Sequence, residues 1–101
     1  MKFAVCSLNH RISPLLQHTK EIILVNIGKN KKISIKEIKV SFHTPKGLIS
    51  ILKDLKVNIV ICGGIKEEYF LLLRNSKIKV IENIIGEVDD VIKQINSDFL
   101  K

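Results

Sequence analysis

The sequence predicts an α/β domain built on a five-stranded mixed sheet, with the element order β-β-β-α-β-α-β-α. Three observations lead there. The first apolar runs are strand-length and separated by turn residues, and helical spacing begins only after position 43. From that point helical and strand-like runs alternate, which requires parallel pairing through right-handed crossovers. The chain of 101 residues is 46% hydrophobic and 27% charged, so residues 1–101 form a single domain able to bury a core without disulfide or metal staples.

Each element has a local reason. Lys2 to Leu8 is a first strand around Phe3, Val5 and Cys6, and Asn9 to Thr19 follows as a loop broken by Pro14. Glu21 to Ile27 is nearly continuous in apolar residues and reads as a strand buried on both faces. Gly28 to Lys32 is a turn. Ile33 to Phe42 is a third strand whose alternation slips by one residue between Ile35 and Ile38, which predicts a bulge on an edge strand. Thr44-Pro45 starts a helix, with Thr as the cap and Pro in the first helical position, and Leu48, Ile49, Ile51, Leu52 and Leu55 as its apolar face. Val57 to Cys62 is a fourth strand ended by Gly63-Gly64. Lys66 to Ser76 is a helix and Ile78 to Ile81 a fifth strand. Glu87 to Leu100 closes as an amphipathic helix with Val88, Val91, Ile92, Ile95 and Phe99 on one side. The first strand is expected at the centre, antiparallel to the second and parallel to the fourth.

Composition excludes several functions. The longest uncharged stretch, Val57 to Ile65, is less than half of the ~20 residues a membrane span needs. Met1 to Val5 runs directly into a strand without an apolar signal segment, so the chain reads as cytoplasmic. The net charge of +7 points toward nucleic acid, but of 17 basic residues only Arg11 and Arg74 are arginine, and there is no Trp for base stacking. Lys29, Lys31, Lys32, Lys36 and Lys39 on the hairpin 29–39 would be the footprint of the alternative reading, a basic nucleic-acid-binding module. A nuclease needs clustered carboxylates on the central strands, and the first and fourth strands carry none. A Cys–His hydrolase lacks an identifiable third orienting group. No catalytic residue is assigned, and the chain reads as not an enzyme.

The chemistry-bearing residues gather at one edge. Ligands of open α/β sheets bind beyond the carboxyl ends of the strands. Cys6 lies near the carboxyl end of the first strand and Cys62 at that of the fourth, so pairing would bring their backbones to about 5 Å. His10 and His18 lie in the first loop, and His43 ends the third strand. Thiolate with imidazole is the ligand set of zinc, copper(I) and iron–sulfur species. Against this, buried cysteines serve as ordinary core residues. Gly63-Gly64 meets either a tight turn or the close approach of a ligand to bare backbone.

Several segments resemble the dinitrogenase iron–molybdenum cofactor biosynthesis family. They are Lys2-Phe3-Ala4-Val5-Cys6-Ser7, Ile12 to Val25, Val57 to Ile65 with its Cys62-Gly63-Gly64-Ile65, Ile78 to Ile81, and Gly86 to Ile92. Leu15-Leu16-Gln17 stands where many relatives carry His-Phe-Gly. The resemblance implies a ribonuclease H-like sheet and a non-catalytic carrier or assembly protein related to nitrogen fixation. Its cargo would be an iron–sulfur cluster or the iron–molybdenum cofactor and its precursors, passed to a cofactor-assembly or acceptor protein. Cys6, His18 and Cys62 match potential metal ligands, and Gly63 and Gly64 a cofactor-binding turn.

Overall fold

A computed structural model describes residues 1–99, with side chains through residue 97. Strand β1 (Lys2–Leu8) is the centre of a mixed sheet because Phe3 through Ser7 are buried without interruption. On one side it pairs antiparallel with β3 (Glu21–Ile27), which pairs antiparallel with the edge strand β4 (Ile33–Lys39). On the other side it pairs parallel with β5 (Ile59–Ile61), followed in parallel by β6 (Lys79–Ile81). The order is β4-β3-β1-β5-β6, with the expected neighbours on both sides of β1.

The element order itself needs one correction. A two-residue strand, β2 (Arg11–Ile12), folds back on the end of β1 and turns the predicted β-β-β-α-β-α-β-α into a chain with four strands before the first helix. The hairpin turn is Asn9-His10, both at positive φ, 54° and 63°. Two left-handed residues give the twist that a two-residue hairpin requires, a position usually marked by Gly. The loop continues through a 3₁₀ turn at Leu16–His18.

The predicted bulge is absent. β3 and β4 pair in unbroken register from Glu21–Lys39 to Ile27–Ile33. The two apolar phases of β4 serve two faces: Ile38 lies beside Ile22 on one, Ile33 beside Ile27 on the other. Five of the seven residues of this edge strand are exposed, so no buried face holds its alternation in one phase. The strand also stops at Lys39, short of Phe42; Val40 and Phe42 pack against the core from the segment that follows.

Helices cover both faces unequally. Helices α1 (Pro45–Asp54) and α2 (Glu67–Asn75) lie over Ala4, Cys6, Ile22, Val60 and Cys62 through Leu48, Leu52, Tyr69 and Leu73. Helix α3 (Val88–Phe99) alone covers Phe3, Val5, Ile23, Val25, Ile59 and Ile61 through Val88 and Ile95. The predicted extension of α3 to Leu100, and the side chain of Phe99, lie outside the described residues. No helix among these residues is long and apolar enough to cross a membrane.

The start of α1 follows the sequence. Thr44 Oγ1 accepts a hydrogen bond from the Gly47 N–H at 3.1 Å, and Pro45 occupies the first turn. Thr44→Ala is expected to lower stability by about 1 kcal/mol in urea unfolding, the usual worth of such a cap, whereas Thr44→Ser retains it. The helix ends carry no such signal. Lys56 and Lys77 take the left-handed conformation after α1 and α2. The next amides, Val57 and Ile78, reach back to the Leu52 and Leu73 carbonyls at 3.0 Å each. This is the closure usually made around Gly.

Candidate functional site

The carboxyl ends of β1 and β5 form the edge from which the site is built. Val5 pairs with Ile61, and one residue further Cys6 and Cys62 share the sheet face under α1 and α2. Both thiols are 0% exposed. Burial drives the Cys6 thiol far above its ordinary range, with the neighbouring Cys62 adding to the shift and the Thr19 hydroxyl opposing it. Burial also pushes Cys62 up to about 12, assisted by the carboxylate of Glu82. The helix that follows does not favour a thiolate at Cys62, because α2 starts at Glu67 with Glu67 and Glu68 in its first turn. Both groups are neutral thiols in an apolar core, which ligate and attack poorly because the thiolate does both jobs.

The expected ligand set Cys6, His18 and Cys62 is brought together only in part. The cysteines are neighbours, whereas His18 is an exposed residue of the 3₁₀ turn. His10 and His43 are exposed as well. Among the described residues no group of three or more His, Cys, Asp or Glu side chains could hold a metal ion. These residues as arranged do not fit a thiolate-ligated cluster. The strand alternation that aims both cysteines the same way aims them at the helix layer, away from solvent.

Gly63 and Gly64 are explained by contact within the chain. A methyl group on Gly63 would lie 2.4 Å from the Ser13 carbonyl oxygen and 2.8 Å from that of Pro14; one on Gly64 would lie 3.0 Å from Leu15 Cδ2. The first loop runs across this dipeptide and binds it: the Gly64 N–H donates to Pro14 O at 2.7 Å, and the Leu16 N–H to Gly64 O at 2.8 Å. Neither glycine has a positive φ; in the neighbouring loop Gly86 does, at 132°. Backbone proximity selects glycine here, not turn geometry.

The other side of the dipeptide is an open cleft of about 330 Å³. Arg11, Ile12 and Pro14 form one wall, Gly63-Gly64 the floor, and the loop from Asn83 to Gly86 the second wall. The walls are tied together: the Ile12 N–H donates to Gly86 O at 2.9 Å, the Asn83 N–H to Gly63 O at 2.9 Å, and Arg11 pairs with Glu87. Ile85 stands at the rim, 90% exposed. This is the edge where the chain leaves β1 toward one side of the sheet and β5 toward the other, the usual ligand position in such sheets. The Arg11 N–H groups that Glu87 leaves unengaged, bare backbone and apolar side chains can hold a compact body that carries hydrogen-bond acceptors. Of these residues the sequence reading had singled out Gly63 and Gly64 for the site; the Asn83-Ile84-Ile85-Gly86 loop, with two adjacent isoleucines, was the signal left unused.

The Lys-rich hairpin does not build one basic face. In the β4 register Lys36 lies beside Leu24 and Lys39 beside Glu21, on opposite faces of the sheet, with Glu37 between them.

The chain was compared with known proteins. A family model described as dinitrogenase iron–molybdenum cofactor matches residues 1–98. The crystal structure of PH0822 superposes with a TM-score of 0.86 at 21% identity, over 97% of this chain and 92% of that one. A Methanocaldococcus jannaschii protein provisionally assigned as a dinitrogenase has 30% identity and a TM-score of 0.70, over 97% of this chain and 89% of its own. The apo form of the orange protein from Desulfovibrio gigas shares the fold at 13% identity and a TM-score of 0.75, over 96% and 88%. No curated protein sequence matches. A match across nearly the whole chain, joined by a relative at 30% identity, decides the family: this chain belongs to the dinitrogenase iron–molybdenum cofactor family.

Proposed function

We propose that the protein is a non-catalytic carrier or assembly factor for an iron–sulfur cluster or the iron–molybdenum cofactor or its precursors, delivered to an acceptor protein. The sheet is read as ribonuclease H-like, and the compartment as the cytoplasm, which suits two free cysteines. The observation that carries the reading is the cleft over Gly63-Gly64, in a chain of this family, with Arg11 in its wall and Ile85 exposed at its rim. Cargo would be held there by shape, backbone and the guanidinium. Cys6 and Cys62 take no part, because their sulfurs are sealed beneath α1 and α2.

The test is anaerobic incubation with iron, sulfide and molybdate, followed by gel filtration, visible spectroscopy and metal analysis. Metal is expected to co-elute with the parent and with Cys6→Ala and Cys62→Ala. Ile85→Asp is expected to reduce retention by about tenfold, the effect of 1.4 kcal/mol of lost binding, and to leave the melting temperature unchanged because the side chain is exposed. No co-eluting metal, or retention lost with the cysteines and kept with Ile85→Asp, would overturn the reading.

A further inference from the structure

A second pocket lies away from the cleft, where the segment before β3 meets the segment after β4. The two are joined by the Val40 N–H donating to Lys20 O at 3.0 Å. A cavity of about 340 Å³ opens between them, and its polar lining is Gln17, His18, Thr19, Lys20, Ser41 and His43. We infer that this pocket is a binding site for a small tetrahedral oxyanion.

Two polar groups in it lack partners. Thr19 is only 5% exposed, and its hydroxyl, with the Cys6 thiol beside it, makes no hydrogen bond of ordinary geometry among the described residues. Gln17 Oε1 is equally shielded and equally unpartnered. A buried polar group left unsatisfied costs about 1–3 kcal/mol, and native structures retain few of them without a reason. A ligand that engages them removes that penalty. The rest of the lining selects its chemistry. The Lys20 ammonium, two imidazoles and the hydroxyls of Thr19 and Ser41 all donate hydrogen bonds, and among the described residues no carboxylate lines the pocket. Turning the Gln17 amide about its last bond presents its NH₂ inward in place of the orphan oxygen. Donors from every wall, with one certain positive charge, suit an acceptor-rich anion. The volume, several times the ~30 Å³ share of a water molecule, admits such an ion with part of its hydration.

This inference stands apart from the cargo reading, since it uses different residues and a different opening. Phosphate and molybdate are the two probes, titrated separately by calorimetry. The parent is expected to bind at least one of them. The His18→Gln/Lys20→Gln/His43→Gln variant is expected to weaken that binding by about tenfold or more, and Thr19→Val by several-fold. All three charged or imidazole positions are exposed, so the melting temperature should hold; should the triple variant fail to fold, the single His18→Gln and His43→Gln variants carry the same test. The Lys29→Gln/Lys31→Gln/Lys32→Gln variant measures the effect of net charge alone and is expected to bind like the parent. Preference for molybdate assigns the ligand to metal-oxyanion supply, and equal or tighter phosphate binding assigns it to a phosphate source. Binding of neither ion, or equal losses in the pocket and hairpin variants, would overturn the site.

Discussion

Gly63→Ala is expected to destabilise the protein by about 3 kcal/mol or more, the upper range for overpacking a filled site. The added methyl would stand 2.4 Å from Ser13 O and 2.8 Å from Pro14 O, both backbone atoms that cannot rotate away. The first loop would have to lift off residues 63–64, breaking the hydrogen bonds from Gly64 to Pro14 and from Leu16 to Gly64. Leu16 is fully buried, so its displacement would open the core as well. A loss of that size is a large share of the roughly 5–15 kcal/mol by which a domain is stable. It would lower the melting temperature by about 15 °C. Gly64→Ala is the comparison: its methyl meets a flexible Leu15 side chain at 3.0 Å and Pro14 O at 3.1 Å, and a loss of about 1 kcal/mol is expected. Urea unfolding of both variants measures the difference. If Gly63→Ala unfolds within about 1 kcal/mol of the parent, the first loop is not anchored where the structure has it, and the cleft wall it forms is not a fixed surface.

The second large effect is alkaline. Cys6 and Cys62 hold their protons in the folded state well above the value of 9.0 that an exposed thiol has, Cys62 to about 12. Below pH 9 both folded and unfolded chains keep these protons, and the full stabilisation is present. Above it the unfolded chain releases them while the folded chain does not, so stability falls as pH rises, and for Cys62 the fall runs to about 12. The loss is on the order of several kcal/mol for the pair. The double variant Cys6→Ala/Cys62→Ala is expected to start about 2 kcal/mol lower at pH 7, because two buried sulfurs leave space behind. Its stability should then fall less steeply, so the gap closes by pH 11. Tyr69 is also raised by burial and by Glu68, in the same direction, and it cancels in the comparison because both proteins contain it. Parallel stability–pH curves for parent and variant would show that the thiols are not buried as a pair.

The strands of the sheet were readable because each carries its own apolar run, and the helices because Thr44-Pro45 and the spacing of Val88, Val91, Ile92 and Ile95 are local signals. The parallel neighbours β1 and β5 followed from the alternation of elements. What escaped the reading was set by backbone conformations that side chains announce poorly. Asn9-His10 turns a hairpin, and Lys56 and Lys77 close two helices, all at positive φ without glycine. The slip in β4 has a different reason: five of its seven residues are exposed, so no buried face holds its apolar residues to one phase, and in sequence that looks like a bulge.

The site divides along the same line. That Cys6 and Cys62 would end adjacent strands is a property of the sequence, since strand length and topology place them there. That they point beneath the helices, out of reach of His18, is decided by which face α1 and α2 cover. Gly63-Gly64 was visible as a pair, but its cause is contact with Ser13 and Pro14, some fifty positions earlier. The cleft joins residues 11–14, 63–64 and 83–86, and the oxyanion pocket joins 17–20 and 41–43. Periodicity and capping act within a few residues, so the sequence by itself determined the longer elements and their order, but not the two-residue β2. Contacts between loops far apart in the chain, which exist only once the sheet has closed, decided where a ligand has room.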